Sequence, residues 1–277
     1  MNLEELKSMA GDIRVDIVKM VAEAGSGHPG GSLSAADIMC ALYFGGVLKH
    51  DAENSKAEDR DRFLLSKGHA APALYATLAE AGYFPKEELA TLRKLHSRLQ
   101  GHPDCKKLPG VEASTGSLGQ GLSIAAGMAL GLKLNGSESS VFTLMGDGEC
   151  QEGQVWEAAM FAAHKGLDNL VAIVDHNHLQ IDGRIETVCS PEDLGDKFRS
   201  FGWQVFQCDG NDMEAILATL ESAKESRGGK PCVIVAETTK GKGVSFMEDQ
   251  AGWHGKAPNA EQTEQALAEL TANKEAK

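Results

Sequence analysis

No stretch of the 277 residues approaches the roughly 20 consecutive apolar residues that cross a bilayer. The opening segment, Met1-Asn2-Leu3-Glu4-Glu5-Leu6-Lys7, has neither a basic region nor an apolar one of the secretory kind. A soluble, unexported, cytoplasmic protein with no membrane partner is therefore expected. Cysteines at metal or redox spacing are missing too. Cys40, Cys105, Cys150, Cys189, Cys208 and Cys232 stand at least 19 positions apart, with no CxxC pair and no Cys/His cluster of zinc-finger type. Buried, reduced thiols in a cytoplasm fit this usage. Positive charge is in deficit, with 27 Lys+Arg against 40 Asp+Glu giving −13. A chain that acidic is repelled by phosphate backbones and anionic lipid, which excludes non-specific nucleic-acid binding. Proline is scarce and glycine is not: 8 Pro against 31 Gly points to many tight turns and close backbone approaches rather than low complexity.

What remains is an ordinary globular composition, long enough for one large or two small domains. Apolar side chains at Leu3, Leu6, Met9, Ile13, Ile17, Met20 and Val21 recur every three or four positions, which predicts an amphipathic helix ending before Gly25. A second helix is expected from Leu33 to Gly45 with Ser32 or Ser34 as cap. Others are expected over Pro72–Ala81 and Lys86–Leu95, and a small-residue helix runs to Leu134. From Val141 onward, short continuous apolar segments alternate with helical patterns. Strands are expected at Val141–Met145, Leu170–Val174, Gln204–Cys208 and Cys232–Glu237, and an earlier one at Arg62–Ser66. Helices Gly153–His164, Asp193–Phe201 and Met213–Ser226 separate them. Continuous apolar strands joined by helices imply βαβ units, hence an α/β fold with a parallel sheet covered on both faces. Residues 1–258 read as one domain, and 259–277 as a charged tail that is either a surface helix or frayed.

In such sheets ligands sit at the carboxyl ends of the strands. The strand at Val141 ends in Gly146-Asp147-Gly148, and the strand at Leu170 ends in Asp175-His176-Asn177-His178. One helical crossover fills the interval, so Asp147 and Asn177 should project from neighbouring strand ends. A carboxylate and an amide oxygen there can share a hard cation such as magnesium, which favours oxygen ligands and leaves room for substrate phosphates. The flanking glycines let the backbone approach a diphosphate closely. Gly25-Ser26-Gly27-His28-Pro29-Gly30 matches GxGxxG but follows a helix, whereas a dinucleotide fingerprint follows a strand, so a nicotinamide site is rejected. Four of the nine histidines, His28, His69, His102 and His254, lie beside glycine in loop-like segments. Singly each reads as a surface residue; together they suggest polar groups converging on one site, able to bind phosphate or move protons near neutral pH.

The motifs Gly-Ser-Gly-His-Pro-Gly at 25–30, Ser-Lys-Gly-His-Ala at 66–70, Gly-His-Pro at 101–103 and Ser-Thr-Gly-Ser-Leu-Gly-Gln-Gly at 114–121 continue into a second group. That group is Gly-Asp-Gly-Glu-Cys-Gln-Glu-Gly at 146–153, Asp-His-Asn at 175–177 and Lys-Gly-Lys-Gly-Val-Ser-Phe at 240–246. In this order they resemble the N-terminal segment of transketolase over about residues 5–256. The resemblance implies the diphosphate-binding fold of thiamine-diphosphate enzymes and transfer of a two-carbon ketol unit from a ketose phosphate to an aldose phosphate. It implies that Asp147, Asn177 and the backbone carbonyl of Leu179 hold Mg2+. It implies that Gly116, Ser117, Leu118, Gly146, Gly148 and Glu149 contact the cofactor. It places His69 and His254 near the diphosphate, and His28, His69, His102 and His254 at the reacting centre. Glu152 and Glu157 match acidic residues of the subunit interface. Single-chain transketolases continue into a pyrimidine-binding domain and a C-terminal domain that do not follow here. The resemblance is therefore to the N-terminal subunit of a split transketolase, acting with a separate C-terminal subunit, two copies of each. Ser117 stands where many members have Pro and His176 where many have Asn, which blurs substrate inference between ordinary pentose phosphates and a specialised sugar. The alternatives are a deoxyxylulose-phosphate-synthase-like enzyme, a 2-oxo acid dehydrogenase α-subunit, or a non-catalytic subunit.

Overall fold

The computed structural model describes residues 1–275; the last two residues of the expected tail lie outside the described residues. Helix α1 (Leu3–Ala24) starts at a reciprocal cap. The Asn2 side chain accepts from the Glu5 amide while the Glu5 carboxylate accepts from the Asn2 amide, and Gly25, at φ 58°, closes the other end. Then come α2 (Pro29–Ser34), α3 (Ala36–Phe44), β1 (Arg62–Leu65), α4 (Ala71–Glu80), α5 (Gly121–Leu134), β2 (Val141–Gly146) and α6 (Gly153–His164). The chain continues through β3 (Leu170–His176), the small hairpin β4 (Leu179–Gln180) and β5 (Gly183–Arg184), α7 (Ile185–Cys189) and α8 (Leu194–Ser200). It ends with β6 (Gln204–Asp209), α9 (Met213–Glu225), β7 (Cys232–Glu237) and α10 (Ala260–Glu275).

Five strands form one parallel sheet in the order β1-β2-β3-β7-β6. Alternate side chains of the central strands feed two cores. Phe142, Leu144, Val171 and Ile173 pack with α1, α3, α4 and α9, whereas Val141, Met145, Ala172 and Val174 pack with α5, α6 and α8. Both faces are covered, which is why these strands read as unbroken apolar runs.

Three expectations change. The second helix begins at Pro29, whose fixed φ suits a first helical position, and breaks at Ala35 into α2 and α3. Neither Ser32 nor Ser34 caps it. The Ser32 hydroxyl donates to the His28 carbonyl at 2.7 Å, and the Ser34 hydroxyl donates to Asp175 at 2.6 Å. The helix expected over Lys86–Leu95 is only a tight turn at Lys86–Thr91, because Arg93 and His96 adopt left-handed backbone and leave Leu95 exposed. Segment 260–275 is a helix that buries Ala266 and Leu270 against α1.

Candidate active site

The register pairs Gly146 with Asp175 on adjacent parallel strands, so the loops after β2 and β3 leave the sheet side by side. Asp147 and Asn177 both line a cavity of about 250 Å³ there, with Leu179, Gly146, Gly148, Glu149, Leu118, His69 and His254. Larger hollows lie elsewhere, along α1 and α10. The convergent polar groups line the small one.

Asp147 is buried, and its carboxylate accepts from the amides of Gly148 at 2.7 Å and His178 at 2.5 Å. Burial, with the nearby Asp175 charge, still pushes its pKa up to about 6. That uncompensated buried carboxylate is what a divalent cation neutralises. Asn177 is held by its neighbours, its amide nitrogen donating to Asp175 and its oxygen accepting from the Leu179 amide, each at 3.2 Å. The Leu179 carbonyl also faces this site, where it accepts from the Lys240 ammonium at 2.8 Å. The Gln180 side-chain nitrogen is buried without a partner beside it. An acidic carboxylate, an amide oxygen, a carbonyl and an orphaned donor suit a hard cation carrying a diphosphate. Gly148 supports this: a Cβ there would meet the Gln180 Cβ at 3.2 Å, so a side chain would crowd the loop.

The four loop histidines do converge. His28 lies 5.4 Å from His69, 5.5 Å from His254 and 6.4 Å from His102, centroid to centroid, and His69 lies 5.0 Å from His254. All are held neutral. Burial, then the charges of Arg93, His102 and Lys240, bring His28 down to about 4. Burial, then Lys240, brings His254 down to about 3. His69 falls well below its ordinary value through burial and Lys67, and His102 falls through burial and Arg93. The His28 Nδ1 is buried and unpartnered, ready for a ligand.

Some expected residues stand apart. Gly116 packs on His102, where a Cβ would come within 3.0 Å of the ring, while Ser117 is exposed; neither lines the cavity, although Leu118 does. Glu149 borders the cavity, yet its carboxylate accepts from Ser66 and from the amides of Gly119 and Gly146, so it ties three loops together. Glu152 and Glu157 are exposed on and just before α6.

Sequence reasoning missed the lysines. Lys67 and Asp175 form a fully buried ion pair, with Lys67 also donating to the Gly31 carbonyl at 2.8 Å. Asp175 accepts from Ser34 and Thr238 as well, and these partners hold its pKa low despite burial. Lys240 is buried against the cavity; burial, then Lys67, brings it down to about 8, and it donates to His254 Nδ1 at 3.0 Å, which fixes that nitrogen as the unprotonated one. The Lys67-Gly68-His69 and Lys240-Gly241-Lys242 segments carried the only signal, a basic residue beside glycine in an acidic chain.

Residues 6–277 match the family model described as the thiamine diphosphate binding domain of transketolase. The chain is 44% identical to the 6-deoxy-6-sulfo-D-fructose transketolase subunit SqwG of Clostridium sp. MSTE9, over 96% of each protein. It is 43% identical to one of the subunits of the apulose-4-phosphate transketolase of Actinobacillus succinogenes, over 98% of this chain and 97% of that one. The crystal structure of Campylobacter jejuni transketolase superposes with a TM-score of 0.91 at 36% identity; this chain is covered to 98% and spans 43% of that longer chain. The chain belongs to the transketolase family, as its thiamine-diphosphate-binding domain.

Proposed function

We propose that this chain is the diphosphate-binding subunit of a two-subunit transketolase that moves a two-carbon ketol unit from a ketose phosphate to an aldose phosphate. The observation that carries the reading is the meeting of Asp147 and Asn177 at adjacent strand ends with four neutral imidazoles. The relatives matched over nearly their whole length are themselves named as transketolase subunits. Asp147, Asn177 and the Leu179 carbonyl are the residues that would hold Mg2+, with the Gly148 backbone against the diphosphate. Thiamine diphosphate, when bound, supplies the nucleophilic carbon and electron sink that carbon–carbon cleavage requires. The chain's own part is binding and proton handling. Imidazoles kept neutral near pH 7 are able to accept a proton from a sugar hydroxyl and return it. Lys240 and Lys67 place fixed positive charge beside them, which favours the neutral ring and attracts an anionic substrate.

The separate pyrimidine-binding subunit completes the site in this reading, in an assembly with two copies of each chain. In this reading Glu152 and Glu157, exposed just before and on α6, belong to a subunit interface, and the exposed apolar Met160 and Phe161 of α6 support it. Among the described residues no helix is long and apolar enough to cross a membrane, and all six cysteines are unpaired, which suits a reducing cytoplasm. Only Cys40, Cys150 and Cys232 are buried as expected, while Cys105 and Cys189 are exposed. The donor is either a pentose phosphate of central metabolism or a specialised sugar of the kind named for the two relatives. The test is ketol transfer with thiamine diphosphate and Mg2+, on this chain alone and co-expressed with the product of the adjacent gene. Xylulose 5-phosphate, 6-deoxy-6-sulfofructose and apulose 4-phosphate serve as donors, and ribose 5-phosphate as the aldose acceptor. Activity in the mixture only is expected; full activity from the pure chain sinks the two-subunit reading.

A further inference from the structure

Immediately outside the cavity, the residues on either side of Asn177 form a second cluster. His176 ends β3 and is paired in register with Glu237, which ends β7, so their side chains emerge next to each other. His178 takes a left-handed backbone at φ 62°, rare for a residue with a Cβ, and its ring lies 4.1 Å from that of His176. The Glu237 carboxylate sits between them. One oxygen contacts His176 Nδ1 at 2.7 Å and the other contacts His178 Nε2 at 2.9 Å. None of the three lines the cavity that holds Asp147 and Asn177.

We propose that His176, His178 and Glu237 form a second metal site, for a borderline divalent transition ion of the Zn2+ class. The three ligand atoms lie within 4.8 Å of one another. Metal–ligand bonds of about 2.0–2.2 Å in a tetrahedron put ligand atoms roughly 3.3–3.5 Å apart. The Glu237 oxygens already sit closer than this to both rings, so an ion would enter by a small outward shift of the half-exposed Glu237 side chain and a matching adjustment of the rings. Two imidazoles and a carboxylate with a fourth position open to water are a zinc-type donor set, whereas magnesium prefers oxygen alone. The second observation lies behind His178. Its other ring nitrogen, Nδ1, contacts the Glu186 carboxylate at 2.9 Å, the carboxylate–histidine arrangement that orients metal-binding imidazoles. The bound ion would tie the end of β3 to the end of β7 and fix the segment that presents Asn177. This inference is independent of the proposed reaction.

The probe is Co2+, titrated into the full-length chain freed of metal and cofactor. One equivalent should bind with the intense visible absorption of a low-coordinate, nitrogen-containing site, Zn2+ should displace it, and excess Mg2+ should not. The spectrum should persist in Asp147→Asn, and affinity should fall at least tenfold in both His178→Gln and Glu237→Gln, variants on different strands. Comparing thermal melts of each variant keeps unfolding from passing as lost binding. A weak spectrum of the oxygen-ligated kind, displacement by Mg2+, or an intense spectrum unchanged in both variants overturns the site. Loss in Asp147→Asn with retention in His178→Gln would place the ion at the diphosphate site instead and overturn it equally.

Discussion

Six histidines within one end of the sheet divide into two groups that the same side chain serves in opposite ways. His28, His69, His102 and His254 come from four loops, are surrounded by Lys67, Lys240 and Arg93, and are pushed toward the neutral form. His176 and His178 come from the end of β3 and the segment just after it, and face Glu186 and Glu237. Burial pulls His176 down, but the Glu237 carboxylate outweighs it and the net shift is upward. The lesson is that burial depresses the four rings of the quartet and His176 alike, and the charge of the neighbours decides whether the depression is deepened or overturned. An acidic chain has placed its rare buried cations against the quartet and its abundant carboxylates against the pair.

The contrast can be broken most severely at the quartet, which is proposed to handle protons. In the assembled enzyme, His69→Gln is expected to lower kcat by about 10²–10⁴-fold, the usual range for a positioned proton-transfer group. A loss smaller than threefold would remove the quartet from proton handling. Next comes the cation behind it. Lys67→Met leaves Asp175 buried without its partner, and urea unfolding should register a loss of about 3–5 kcal/mol. An unchanged midpoint would mean that Ser34 and Thr238 satisfy Asp175 alone.

The third effect is a pH dependence. The folded values of His28 and His254, about 4 and 3, lie below the ordinary value of 6.5. The unfolded chain therefore binds more protons in that window, and the rings' contribution to stability, complete above pH 6.5, is lost as pH falls toward 4. Each ring contributes at most roughly 1 kcal/mol per pH unit once solvent screening of the part-exposed rings is discounted. The double variant His28→Gln/His254→Gln should show a flatter decline of the urea midpoint between pH 6.5 and 4.5. A parallel decline refutes the linkage. Asp147, raised to about 6, acts in the opposite direction in both proteins and cancels from the comparison. Smallest of all, Lys240→Met should move the His254 imidazole resonance to titrate at higher pH by NMR. No upward movement would assign the depression to burial alone.

Much of this was legible in the sequence. Apolar runs at 141–145, 170–174 and 232–237 announced a buried parallel sheet because both of its faces are covered. The Gly-Asp-Gly and Asp-His-Asn strand ends then placed Asp147 and Asn177 together by topology. The convergence of the histidines was suggested by their glycine neighbours but needed the fold to bring together residues as distant as His28 and His254. Lys67, Asp175 and Lys240 stand in the motifs, but their buried pairing went unread for a physical reason. A buried ion pair is recognised by the partner it meets, and Lys67 and Asp175 are 108 positions apart. The pattern at 86–95 misled because Leu95 is apolar yet exposed, so its spacing mimicked a helix that Arg93 and His96 interrupt.

The strand order has a consequence for how the chain comes to exist at all. Asp175 receives Ser34 across 141 positions and Lys67 across 108, and Lys240 reaches back 61 positions to Leu179. Contacts of such separation close the largest loops and form late, since the entropy of closure precedes any reward. During synthesis the loops that carry Asp147 and Asn177 emerge before β7, and Lys240 and His254 follow later still. The cradle for the cofactor is thus among the last things to assemble, and a ligand that recognises it would select molecules whose sheet is already complete.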